Sequence, residues 1–106
     1  MTALPTIKKL KDLEVELCVV LSTAHIQSTT NTWLETHNSV CNKKYDWIAP
    51  SEYGWVFTYL SAEVDYLEGM PAELIALIIR LKEHGAHMLK LDCDGPKSDD
   101  FPLWNW

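Results

Sequence analysis

The sequence predicts an α+β domain: a two-layer, ferredoxin-like sandwich with the order strand, helix, strand, strand, helix, strand. Two helices would cover one face of a four-stranded, mainly antiparallel sheet. Three observations predict it. Two segments, residues 14–21 (EVELCVVL) and 53–60 (YGWVFTYL), are rich in β-branched and aromatic residues at strand length. A longer apolar segment with helical spacing opens at Pro71 and stops at Gly85. The chain has 106 residues, 47% of them hydrophobic and 23% charged, which suits one small globular domain and excludes general disorder.

The elements are justified in chain order. Residues 1–12 are expected to form an arm, loose or with a short helical turn. Residues 14–21 alternate at first and then become continuously apolar, as in an interior strand. Ser28, Thr29 and Thr30 offer hydroxyl caps for a short helix ending near His37, with Trp33 and Leu34 as its buried side. Residues 43–48 (KKYDWI) alternate and read as a short strand, the rival being a loop that leaves a three-stranded sheet, with a turn over Pro50, Ser51 and Glu52. Residues 53–60 form the strongest strand, and Gly54 between two aromatics marks a bulge or a close backbone approach. Residues 61–69 read as an acidic loop. The second helix starts with Pro71 at its first position, has Glu73 in its first turn and ends at Gly85. Residues 87–91 (HMLKL) form the last strand. The domain proper is residues 13–96, followed by an aromatic tail over 97–106 that packs on the domain or on a partner.

The net charge is −6. Beyond Leu60 lie nine acids (Glu63, Asp65, Glu68, Glu73, Glu83, Asp92, Asp94, Asp99, Asp100) against four bases (Arg80, Lys82, Lys90, Lys97). Direct nucleic-acid binding needs a basic stripe and is not expected. An acidic face suits a basic protein surface instead. No apolar run reaches the length of a membrane span, and the N-terminal lysines precede no apolar signal core. Three cysteines without a CxxC spacing predict neither a disulfide framework nor a zinc site, and the cytoplasm is the expected compartment. Cys18 and Cys93 read as small core residues.

Two constellations hold potential chemistry. Asp92 and Asp94 stand two residues apart past an apolar strand and suit a hard cation. The run LDCDGP also resembles the first motif of the haloacid dehalogenase phosphotransferases, but the residues after Gly95 are too few to complete that family's site. At the end of the first strand, Ser22, Thr23 and His25 bring hydroxyls beside an imidazole, without the glycine elbow of a serine hydrolase. His84 and His87 flank Gly85, so His84 reads as a helix-end residue rather than a metal ligand. Five tryptophans is a high count, and Trp104 and Trp106 either staple the tail or anchor a partner.

Four segments, STAHI (22–26), EYGW (52–55), LDxDG (91–95) and the terminal PLxxW, together resemble a small family of uncharacterised domains of Gram-negative plasmids and prophages. The resemblance carries no activity. It implies a mobile-element setting, in which small acidic proteins serve as inhibitors of host defence, and it implies that the four segments share one surface.

The leading expectation is a non-enzymatic acidic domain that binds a bacterial protein with a basic, nucleic-acid-handling surface, in the manner of anti-CRISPR or anti-restriction proteins. Glu63, Asp65, Glu68, Asp99 and Asp100 would steer it, and Trp104 and Trp106 would anchor it. No cofactor, resident metal or membrane enters this reading. The alternative is a small metal- or phosphate-dependent enzyme or ligand-binding domain with a site at Thr23, His25, Asp92 and Asp94. A homodimer through the 71–84 helix or a sheet edge is the third expectation.

Overall fold

The computed structural model describes residues 13–106; the predicted arm over 1–12 lies outside the described residues. The chain is an α+β sandwich. β1 (Cys18–Ser22), α1 (Ser28–Thr36), β2 (Ile48–Ser51), β3 (Gly54–Phe57), α2 (Val64–Leu67), α3 (Ala72–Glu83) and β4 (Met88–Asp92) follow in order, with single 3-10 turns at Thr23–His25 and Lys43–Tyr45.

The strands lie in the order β1-β4-β3-β2. β1 runs parallel to β4, while β4–β3 and β3–β2 are antiparallel. In the ferredoxin-like order the first strand is interior; here β4 takes the interior place and β1 an edge. Burial explains the exchange. Leu89 and Leu91 of β4 are fully buried, whereas Val20 of β1 and Leu17 just before it are exposed. The strand paired on both sides is the one whose core-facing leucines are fully buried, although its sequence MLKLD is less apolar than the CVVLS of β1.

Register puts Val19, Leu21, Leu89, Leu91, Trp55, Phe57 and Ile48 on one face. These residues form a single core with Leu34 of α1 and Leu74, Leu77, Ile78 and Leu81 of α3. α1 is tied to β3 by the Trp55 indole, which donates to Asn31 Oδ1 at 2.8 Å. It is tied to α3 by Glu73, whose Oε2 accepts from the Gln27 N–H at 3.0 Å and from the Thr30 hydroxyl. The expected caps Ser28, Thr29 and Thr30 do not cap α1. Gln27 is its N-cap residue, without a side-chain bond, and a carboxylate from another helix supplies the negative charge that the helix N-terminus favours.

α3 ends as predicted. Gly85 takes φ +92°, its N–H bonds the Lys82 carbonyl, and the Ala86 N–H bonds the Leu81 carbonyl. That is a Schellman ending, which needs the left-handed conformation glycine adopts freely. Pro71 is the N-cap residue rather than the first helical one.

Four expectations are corrected. Residues 43–48 are not a strand: Lys43–Tyr45 is a 3-10 turn, and the strand begins at Ile48. The turn that follows is carried by Glu52 and Tyr53, with Pro50 and Ser51 inside β2. The segment over 61–69 is not wholly loop, because Val64–Leu67 forms a helical turn that buries Leu67. Cys18 and Cys93 are exposed rather than core, since Cys18 points to the helix-free face of an edge strand and Cys93 lies in the turn past β4.

Candidate functional site

The four sequence segments meet at one end of the sheet. Ser22 of β1 and Gly54 of β3 are both register partners of Asp92 on β4. The Cys93 N–H bonds the Tyr53 carbonyl at 2.9 Å, and the Ser22 N–H bonds the Pro96 carbonyl at 2.8 Å. The tail closes the cluster: the Trp104 N–H bonds the Ala24 carbonyl at 2.9 Å, and the Trp106 indole donates to the Ile26 carbonyl at 2.8 Å.

The residue types follow from these approaches. A side chain at Gly54 would run into the Leu91 carbonyl, whose carbon lies 2.9 Å from the position a Cβ would take. One at Gly95 would lie 2.7 Å from the Leu21 carbonyl oxygen. The two glycines therefore let neighbouring backbones touch where β4 passes between β3 and β1. Ser22 accepts from the Ala24 N–H through Oγ and starts the 3-10 turn, so its hydroxyl serves the backbone.

The alternative ligand set is split by this arrangement. His25 is buried, 2% exposed, and engages the tail through both ring nitrogens. It lines a cavity of about 100 Å³ between α3 and the tail, together with Glu73, Ala76, Leu77, Arg80 and Trp104. Thr23 faces a different depression, shared with Cys93, Lys97 and Trp106. Asp92 and Asp94 stay together with Cys93, each residue offering a ligand atom within 4.8 Å of the others. The Asp92 carboxylate is already engaged: its Oδ1 accepts from the Asp94 backbone N–H at 2.8 Å, and its Oδ2 lies 3.9 Å from Lys90 Nζ. This is the bonding of a strand-end turn. Magnesium, manganese and zinc are each expected to leave the melting midpoint unchanged. A raised midpoint that disappears in Asp92→Asn/Asp94→Asn would show a metal site instead.

The acidic set is distributed along α3. Glu63, Asp65 and Glu68 belong to α2 and its ends, Asp99 and Asp100 to the tail, and all five are exposed. α2 borders α3 along a groove lined by Ala62, Val64, Leu67, Ile75 and Ile79. On the other flank Arg80 donates to the Asp100 carbonyl and lies 4.9 Å above the Phe101 ring. Among the described residues the one ion pair is Lys90–Asp92, so none of these five acids is paired to a base there. Trp104 is half-buried and Trp106 is 54% exposed although its indole is bonded. Sequence reasoning missed Arg80 and Glu73, whose partners are in the tail and α1. The signal available was only their place on the outer side of a helix whose other side is core.

No helix among the described residues is long and apolar enough to cross a membrane. No curated protein and no solved structure matches the chain. Residues 18–106, from the first residue of β1 to the last tryptophan, match the family of unknown function DUF5983 over its C-terminal domain, and the chain belongs to that family.

Proposed function

We propose that the chain is a non-enzymatic protein-binding domain that covers a basic surface on a bacterial nucleic-acid-handling complex. The observation that carries this reading is the set of five exposed acids on both flanks of α3, none paired to a base among the described residues. Unpaired surface acids raise a negative potential that steers a positive partner and costs little to desolvate at the rim. Between them, the half-exposed Ile75 and Ile79 and the exposed Ala72 and Ala76 offer a modest apolar strip for contact. Trp106 adds an exposed aromatic face at the end of the tail, beside Thr23 and Lys97. The likeness of the four segments to domains of plasmids and prophages supports a mobile-element setting. Within it the activity proposed is inhibition of a cytoplasmic host defence complex, of the anti-CRISPR or anti-restriction kind.

The test is affinity capture from bacterial lysate at low and high salt. Wild type runs beside two charge reversals, Glu63→Lys/Asp65→Lys/Glu68→Lys and Asp99→Lys/Asp100→Lys. The expected result is one dominant nucleic-acid-binding protein, retained at low salt, lost at high salt and lost with either reversal. The purified chain should then displace nucleic acid from it. A partner held equally by wild type and reversals, or the absence of any partner, would overturn the reading.

A further inference from the structure

We propose that His25 is a protonation-gated latch for the C-terminal tail: the tail is docked while the imidazole is neutral and released when it takes up a second proton. This goes beyond the binding reading and does not rest on it.

The hydrogen bonds determine the tautomer. The Ser98 backbone N–H can only donate, and it points at Nε2 from 2.9 Å, so Nε2 must carry a lone pair. The Pro102 carbonyl can only accept, and it lies 2.9 Å from Nδ1, so Nδ1 must carry the hydrogen. Both partners belong to the tail, 73 and 77 residues away in the chain. The neutral Nδ1–H form satisfies both. A proton added at Nε2 sets N–H against N–H at Ser98, and a charged ring that is 2% exposed loses one of its two partners.

The other tail contacts are few. They are the Trp104 N–H to the Ala24 carbonyl, the Trp106 indole to the Ile26 carbonyl, Arg80 against Asp100 and Phe101, and Phe101 packed against the core. Phe101 also sets its ring edge-on to His25, with centroids 5.9 Å apart. The residues from Ser22 to Gln27 around His25 carry no other charge. From α3, Glu73 and Arg80 line the same cavity and act in opposite directions on an imidazolium. The tail itself brings Lys97, Asp99 and Asp100 beside Ser98. The docked geometry has a place for a ring hydrogen at Nδ1 and none at Nε2. Docking is therefore strengthened as pH rises and lost as it falls. His37 does not share this constraint: its Nδ1 meets the Trp33 carbonyl at 2.7 Å and its ring stacks on Trp33, which tolerates either charge state.

The test is hydrogen exchange by NMR between about pH 8 and pH 5, the span over which histidines change charge. Protection factors are read at the Trp104 amide and the Trp106 indole, with the Leu89 and Leu91 amides of β4 as the record of global folding. Tail protection is expected to fall about tenfold or more toward acid while the β4 amides keep theirs. In His25→Gln, which offers one donor and one acceptor but takes no proton, tail protection should stay level; in His37→Gln it should fall as in wild type. Tail protection that is constant with pH in wild type, that falls in step with β4, or that falls equally in His25→Gln would overturn the proposal. Should His25→Gln fail to fold, the ¹⁵N shifts of the wild-type His25 ring decide. A lone pair at Nε2 at high pH and its loss together with tail protection support the latch, and any other tautomer at high pH refutes it.

Discussion

Gly54→Ala is expected to cost about 3–5 kcal/mol, enough to leave a domain of this size largely unfolded. The added methyl meets the Leu91 carbonyl, a backbone group that cannot swing aside as a side chain would. Leu91 is itself paired on both sides, to Trp55 on β3 and to Leu21 on β1. Relief therefore requires β3 to part from β4, and that separation opens the core at Trp55 and Phe57, which are 7% and 0% exposed. Urea denaturation followed by tryptophan fluorescence reads the loss, with Gly69→Ala as the comparison. Gly69 has φ +85° and nothing near its Cβ position, so its substitution carries only conformational strain, about 1 kcal/mol. Equal midpoints for the two variants would show that the close approach at Gly54 is not needed.

Glu73→Ala is the second large effect, expected at about 2–3 kcal/mol. The carboxylate joins α3 to α1 by accepting from the Gln27 N–H and the Thr30 hydroxyl. Thr30 is 1% exposed, so truncation leaves its hydroxyl buried without a partner, and the loss of a charge-assisted acceptor adds to that. The N-terminus of α1 also loses its nearest negative charge. Glu73→Gln keeps an acceptor oxygen and should recover about half of the loss. The double variant Glu73→Ala/Thr30→Val removes both partners and should be less damaged than the sum of its parts. Denaturation midpoints check all three. Additive losses would mean that the two side chains act independently.

These two residues also show what was legible in the sequence. Gly54 between Tyr53 and Trp55 announces a close backbone approach, because nothing else explains a glycine in so strong a strand. Gly85 announces the end of α3. The apolar face of α3, with Leu74 and Leu77, follows from helical spacing, whereas which tryptophans are buried was not legible. Glu73 reads only as an acid in a first helical turn. Its true partners are brought to it by the packing of α1 on α3, which no local pattern encodes. The strand predicted over 43–48 fails for a similar reason. Tyr45 and Trp47 alternate with polar residues, but a 3-10 turn buries Tyr45 and the turn after it buries Trp47 without extending the chain. The helix α2 was hidden by its length of four residues and by its acids. The order β1-β4-β3-β2 was not legible because composition points the other way: β1 (CVVLS) is more apolar than β4 (MLKLD), yet β1 lies at the edge.

The site was legible in part. The resemblance implied that STAHI, EYGW, LDxDG and PLxxW share one surface; the register of Ser22, Asp92 and Gly54 brings the first three to one end of the sheet, and the Trp104 and Trp106 bonds bring the fourth. The partners of the members were not legible. His25 looked like a candidate base beside Thr23, and its nitrogens instead hold the tail. Asp92 and Asp94 looked like cation ligands, and the Asp92 carboxylate instead bonds its own turn and lies near Lys90.

The most direct test of the proposed binding role is the association rate of the chain with its captured partner across a range of ionic strengths. Steering by Glu63, Asp65, Glu68, Asp99 and Asp100 predicts a rate that falls steeply with salt, and a loss of about tenfold or more at low salt when either acidic flank is reversed to lysine. The dissociation rate should change less, because rim charges act mainly on encounter. An association rate indifferent to salt, and equal for wild type and both reversals, would contradict the account.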